Sequence, residues 1–269
     1  MPVLPDRVNP TSEAYLANRA VLQTQVDGLD EQLRTVNLGG GEKYVARHRQ
    51  RGKMLVRERI EALLDPGSPF LELASLAAYG SQFPVGAGTV AGIGVVEGVE
   101  CMIAGSDPTM RGGASNPYTL KKSLRIGEIT AETRLPTIAL TESGGADLPT
   151  QSEIFIPGGR GFRDITQASA AGIPQVSLVF GNSTAGGAYV PGMSDYVVMI
   201  KERSKVFLGG PPLVKMATGE DSDDESLGGA EMHARISGLA DYFAIDEMDA
   251  IRLGRQIIKR LNHRKRGPG

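Results

Sequence analysis

Two glycine pairs, each set just after an apolar run, constrain this chain more than any other feature. The first stretch is Ile138-Ala-Leu-Thr-Glu-Ser-Gly-Gly-Ala146, and the second is Val176-Ser-Leu-Val-Phe-Gly-Asn-Ser-Thr-Ala-Gly-Gly-Ala188. Each reads as a buried strand, a polar turn and a helix opened by glycine. Without a Cβ, a glycine lets a ligand approach its backbone N–H closely. N–H groups at a helix start attract negative charge. Two such turns side by side form a cradle for an oxyanion. The pattern points to anion stabilisation by main-chain groups, with no reactive side chain at its centre.

The chain has 269 residues, enough for one large domain or two small ones. Its 35 glycines are well above average usage, which implies many tight turns. Aromatic residues are 5% of the chain and Trp is absent, which argues against a base-stacking nucleic-acid surface. A net charge of −2 argues against a general polyanion binder. The single cysteine, Cys101, lies in the apolar run Val99–Ala104 and reads as a buried thiol in a strand. With one cysteine no internal disulfide can form, which fits a reducing compartment. The first residues lack a signal-peptide core, and no apolar run reaches transmembrane length.

From about Thr11 to Val36 the spacing predicts a helix, with Tyr15, Leu22, Val26, Leu29, Leu33 and Val36 recurring at three, four or seven. Gly39-Gly40-Gly41 ends it. Its narrow apolar stripe suits packing either on the body or on a partner subunit. The basic run Arg47–Arg59 reads as a solvated face or a phosphate contact. Val56, Ile60, Leu63 and Leu64 follow as a short apolar face. Between Phe70 and Ala104 glycine cuts a set of short strands. The run from Gly86 misses the strict dinucleotide fingerprint at Ala91, and no helical pattern follows it, so an antiparallel hairpin is the expectation.

Asn116-Pro117 opens a helix running to about Glu132, with Lys121, Lys122 and Arg125 along one side. Strands are expected at 136–140, 175–180, 196–200 and 205–208. Helices are expected near 163–171, from 185–187 and over 246–261. This alternation predicts an α/β layered fold. The acidic run Asp221–Ser226 reads as a loop capping the next helix. The basic end His263–Arg266 reads as a solvated tail.

The groups for nucleophilic catalysis are missing. Neither Ser143 nor Ser183 sits in a nucleophile elbow. Of the three histidines, His48 and His263 lie in basic stretches expected to be exposed, and His233 reads as structural. Zinc-ligand spacing is absent. Glu142 borders the first glycine pair, where it suits either a general base or a carboxylate bonded to turn N–H groups. The lack of a clear acid/base set favours chemistry in which a cofactor brings the base.

Glu142–Pro149, Ala171–Gln175, Thr184–Pro191 and Phe207–Lys215, with Thr218–Glu220, Leu227–Ala230 and Arg51–Ile60 in support, form a set of motifs that resembles the carboxyltransferase β subunits of biotin-dependent acyl-CoA carboxylases. The likeness runs from about Gly40 to Leu261 and looks closest to the methylcrotonyl-CoA type, ahead of the propionyl-CoA type. It implies a crotonase-like α/β fold, a spiral of ββα units, over 41–269, with residues 1–40 as an N-terminal helical extension.

The resemblance also implies a CoA thioester substrate and CO2 carried as carboxybiotin on a partner biotin carboxylase/biotin carrier α subunit. It implies a homo-oligomer of β subunits, and a cytoplasmic or mitochondrial-matrix location. Gly186 and Gly187 match the pair that holds the acyl-CoA carbonyl, with Ala185 and Tyr189 beside them. Gly144 and Gly145 match the turn that shapes the same pocket. For the CoA phosphates, Arg111, Lys121, Lys122 and Arg125 are candidates on charge alone. Glu142 stands where the family usually has Asp, and Arg111 where it often has Lys. The family carries a second crotonase-like half supplying the biotin side, and these 269 residues match only the first. The chain alone is therefore expected to bind CoA weakly and not to carboxylate. A crotonase-like enoyl-CoA hydratase or isomerase, a decarboxylase relative and a CoA-binding oligomerisation module are the competing expectations.

Overall fold

The computed structural model describes residues 8–264; Met1–Arg7 and the tail residues Lys265–Gly269 lie outside them. The predicted N-terminal helix is α1 (Glu13–Asn37), capped by the Ser12 hydroxyl, which accepts from the Tyr15 N–H. Then come α2 (Glu42–Gln50) and α3 (Val56–Leu63). Strands β1 (Phe70–Glu72), β2 (Thr89–Val96) and β3 (Val99–Ser106) form the expected antiparallel unit. Glu97 and Gly98, both at positive φ, make its two-residue turn, the geometry that matches strand twist.

Helix α4 (Pro117–Thr133) starts with proline at its first position and Asn116 as N-cap. Strand β4 (Thr137–Ser143), helix α5 (Gln151–Ala170) and strand β5 (Gln175–Thr184) follow. A 3₁₀ turn, Ala185–Ala188, leads into the single-turn α6 (Tyr189–Gly192). The rest is β6 (Tyr196–Ile200), β7 (Lys205–Phe207), α7 (Pro211–Thr218), α8 (Asp224–Gly228), α9 (Ala230–Met232), a π turn at His233–Ser237, β8 (Tyr242–Ala244) and α10 (Glu247–Leu261).

Among the described residues the strands form one eight-stranded sheet in the order β1-β2-β3-β4-β5-β6-β8, with β7 paired to β5 beyond its bend. From β3 onward the pairing is parallel. Parallel strands covered by helices read as continuous apolar runs, and β5 is buried from Gln175 to Gly181. The main core joins α3, the sheet and α10 through residues such as Ile60, Leu63, Ile103, Leu178 and Ile251. Gly254 of α10 sits so close to Leu178 that a Cβ would lie 2.8 Å from its side chain, which lets α10 lie flat on β5.

Three expectations need correction. Helix α5 begins at Gln151, twelve residues before the expected start. Pro157 and the glycines at 158, 159 and 161 look like breakers in sequence, but α5 is held against α4, where Gly158 closes on Leu120. The glycine-opened helix after β5 is only a 3₁₀ turn plus α6. His48 is buried rather than exposed, and its Nε2 bonds the Met54 carbonyl at 3.0 Å. His263 is half-buried. The acidic run behaves as expected, with Asp223 capping α8.

Candidate active site

Strands β4 and β5 end together, with Ser143 directly opposite Ser183. Both glycine pairs therefore leave the sheet at one edge, side by side. At Gly145 a Cβ would lie 3.6 Å from the Thr184 carbonyl and 3.9 Å from Ala185 Cβ. At Gly187 it would lie 3.5 Å from Ser143 Cβ and 3.6 Å from Ser183 Oγ. Parallel α/β sheets bind ligands at such strand C-terminal edges.

The two turns differ in what their N–H groups do. The Gly144 N–H donates to the Gly112 carbonyl at 3.1 Å, and the Gly145 N–H to Ser143 Oγ at 3.1 Å. The Ser143 hydroxyl in turn donates to the Gly113 carbonyl at 3.0 Å, and the Ser115 N–H to the Gly145 carbonyl at 2.8 Å. The first pair is thus stitched to the Arg111–Gly113 turn and shapes the edge without offering free donors. At the second pair, Gly186 is exposed and Gly187 half-exposed. A 3₁₀ turn beginning at Ala185 leaves its earliest N–H groups outside its own bonding. Ala185 takes φ +54 to make the bend, and the Ser183 hydroxyl fixes the turn by donating to the Gly187 carbonyl at 2.9 Å. Tyr189 is 43% exposed and lies 4.8 Å from the Phe162 ring, between centroids. These rings form an apolar wall beside Gly186.

The four candidate cations separate. Arg111 is half-exposed and bonds Asp147 at 3.2 Å. Its guanidinium lies 5.9 Å from the Phe83 ring centre, Phe83 lies 5.7 Å from Tyr118, and the Lys121 ammonium lies 5.0 Å from Tyr118. Arg111 and Lys121 thus flank one aromatic pair. Arg125 turns away along α4 to Glu128. Lys122 is a correction: it is buried, and its ammonium donates to the Thr89 carbonyl at 2.6 Å and the Gly86 carbonyl at 3.3 Å. Residue 122 falls on the inward face of α4 with Thr119, Ile126 and Thr130, so it cannot meet a phosphate outside. Burial lowers its pKa to about 8.

Glu142 is also corrected. Its carboxylate meets no turn N–H. Lys53 Nζ donates to Oε1 at 2.5 Å, and Arg59 Nη1 to Oε2 at 2.9 Å. Arg59 is fully buried; it also grips Glu247 through Nε and Nη2, both at 3.0 Å, and stacks 4.3 Å from the Phe180 ring centre. Arg203 reaches Glu247 at 3.2 Å. At Gly181 a Cβ would lie 2.7 Å from Glu142 Oε1, so that glycine makes room for the carboxylate. Sequence reasoning missed this network. The signal was present: Arg59 shares the apolar face of α3 with Val56, Ile60 and Leu63, at spacings of three, four and seven. Among the described residues no cluster of His, Cys, Asp and Glu could hold a metal ion.

A sheet that is parallel from β3 onward, covered by helices and bringing two glycine turns to one edge, places the chain in the α/β class. The chain belongs to the carboxyl transferase domain family, which matches residues 47–268. It is 66% identical over 266 residues to the Mycobacterium tuberculosis "Probable biotin-dependent acyl-coenzyme A carboxylase beta2 subunit", covering 99% of this chain and 50% of that one. It is 48% identical over 266 residues to the Arabidopsis thaliana mitochondrial methylcrotonoyl-CoA carboxylase beta chain, covering 97% and 45%. Among solved structures, the P. aeruginosa geranyl-CoA carboxylase beta subunit superposes with a TM-score of 0.89 at 44% identity, covering 96% of this chain and 48% of that one. Transcarboxylase 12S with methylmalonyl-coenzyme A bound gives 0.81 at 30% identity, covering 88% and 47%. The expected crotonase-like fold holds. The chain spans about half the length of the relatives it matches.

Proposed function

We propose that this chain is the CoA-binding half of an acyl-CoA carboxyltransferase, with residues 41–269 as the catalytic unit and 1–40 as a helical extension. The observation that carries the reading is the alignment of the open Ala185–Gly187 turn beside the braced Gly144–Gly145 turn. The thioester oxygen gains negative charge as the α-carbon loses its proton. Main-chain donors at 186 and 187 would hold that charge, a type of contact whose loss costs ~10²–10³ in rate. Gly144 and Gly145 brace the pocket. Arg111 and Lys121, around the Phe83–Tyr118 pair, suit the phosphates of CoA.

In this reading carboxybiotin, borne on an α-subunit carrier domain, supplies the CO2 when it docks. The residues described here do not fit its ureido oxygen, because the Gly144 and Gly145 donors are already engaged. The biotin side is therefore assigned outside this half. A hydratase or isomerase needs carboxylates free to move protons, whereas Glu142 is held by two cations. We further assign the chain to a homo-oligomer of β subunits working in a cytosol or mitochondrial matrix. Among the described residues no helix is long and apolar enough to cross a membrane.

Calorimetric titration with a short acyl-CoA tests the reading. Weak saturable binding that free acyl carboxylate cannot compete for is the expected outcome, with no carboxylation by the chain alone. Absence of thioester binding, or enoyl-CoA hydration by the isolated chain, overturns it.

A further inference from the structure

Opposite one residue of β4, strand β5 places three. The two strands run in step as far as Thr141 against Val179 and resume at Ser143 against Ser183. Glu142 alone therefore faces Phe180, Gly181 and Asn182. Strand β6 follows β5 only as far as Val179, and β7 joins it only from Asn182. Among the described residues, Phe180 and Gly181 thus pair with no strand. A bulge of this kind bends its strand and re-aims what comes after it. What comes after it here is Ser183 and the open Ala185–Gly187 turn. The bulge therefore sets how that turn stands against the braced one.

One side chain spans the bulge. Lys53 Nζ donates to Glu142 Oε1 at 2.5 Å and to the Phe180 carbonyl at 3.2 Å, so a single ammonium ties β4 to β5 at the mismatch. The loop between α2 and α3 presents it, and that loop is itself pinned. Arg203 donates to the Gly52 carbonyl at 2.9 Å, the Met54 N–H donates to Glu247 Oε2 at 3.1 Å, and His48 bonds the Met54 carbonyl. Arg59 also holds Glu142, but it meets β5 through the Phe180 ring. We infer that Lys53 is a positioning residue for the thioester site, fixing the β5 bulge and through it the spacing of the two glycine turns. It acts through Glu142 and Phe180 rather than on the substrate. The inference rests on the reading above, in which the Ala185–Gly187 turn holds the thioester oxygen. A donor displaced by about 1 Å loses much of its hold on that oxygen. Arg111 and Lys121 stand ahead of β4 in the chain, so their place does not depend on the bulge.

Calorimetric titration of the 269-residue chain with butyryl-CoA and with free CoA tests it. The parent is expected to bind the thioester more tightly than CoA. Lys53→Met should weaken butyryl-CoA binding about 3–10-fold, the scale of a lost hydrogen bond, and leave CoA binding unchanged. Gly181→Ala should do the same without removing a charge, because its Cβ would lie 2.7 Å from Glu142 Oε1; it decides the matter if Lys53→Met fails to fold. Ile257→Val trims the α10 core instead, and should lower the melting temperature while leaving both affinities as in the parent. A parent with no preference for the thioester brings down the reading of the turn, and this inference with it. A parent that prefers the thioester, with Lys53→Met and Gly181→Ala keeping that preference, leaves the reading standing and overturns the inference alone. Equal loss of both ligands, or a selective thioester loss in Ile257→Val as well, reduces Lys53 to a stability role and also overturns it.

Discussion

Arg59 and Glu142 meet at 2.9 Å, joining helix α3 to the end of strand β4 immediately before Ser143 and the first glycine pair. The arginine is fully buried and is shared with Glu247 at the start of α10. A buried charge keeps its solvation only through partners, so truncating one leaves the others uncompensated. Arg59→Ala is expected to cost about 3–5 kcal/mol of stability, read from the denaturant midpoint. Arg57→Ala, on the same helix but half-exposed against Glu72, should cost at most about 1 kcal/mol. Equal losses at the two positions would contradict the framing role of Arg59.

Cys101 gives a simple check of the core. It lies in β3, fully buried, and burial pushes its thiol up to about 12. Thiolate is the reactive form. The folded chain should therefore resist a thiol reagent at pH 8, and denaturation should release one reactive thiol per chain. Rapid modification of the native protein would mean that β3 opens readily.

The parts of this fold set by local spacing were legible in sequence. The α1 stripe, the Glu97-Gly98 hairpin, the Asn116-Pro117 helix start and the strand–glycine junctions depend on neighbours a few residues apart. What escaped depended on distant partners. Pro157 and its glycines read as a break, yet α5 forms because it lies against α4. Lys122 counted as a surface cation until its register beside Thr119 and Ile126 turned it inward. Glu142 reads in sequence as bordering the first glycine pair, but its partners Lys53 and Arg59 lie 89 and 83 residues earlier. Charge alone could not distinguish Lys121 from Lys122, since one helical step moves a side chain through about 100°.

Lys122 predicts a pH dependence. Its pKa falls from 10.5 to about 8 on folding, mainly through burial. Between these values the unfolded chain binds the extra proton, so stability rises with pH, by at most about 1.4 kcal/mol per unit. The stability is fully present above about 10.5 and is lost as pH falls through about 8. Lys122→Met should remove this component. Urea denaturation of both proteins at intervals across that window should show a diverging difference. A constant offset between them would refute a charged, buried lysine.

The two glycine turns should answer differently to the same substitution. At Gly187 a Cβ meets Ser143 and Ser183 at ordinary contact distances, so Gly187→Ala should fold normally. Valine adds methyl groups beyond that Cβ, which lies between the open turn and Ser143 at the start of the braced one. Gly187→Val is therefore expected to lower carboxyl transfer about 10²–10³-fold in the reconstituted assembly and to abolish thioester binding by the chain, with little change in melting temperature. Gly113 behaves oppositely. A Cβ there would lie 2.4 Å from the Glu142 carbonyl, and its φ is +72. Gly113→Ala should then destabilise the fold by about 1–3 kcal/mol, since both the overlap and the positive φ act against it. Thioester affinity and melting temperature measured on the same preparations separate the two effects. A Gly187→Val protein that binds acyl-CoA as well as its parent would remove the 185–187 turn from the mechanism.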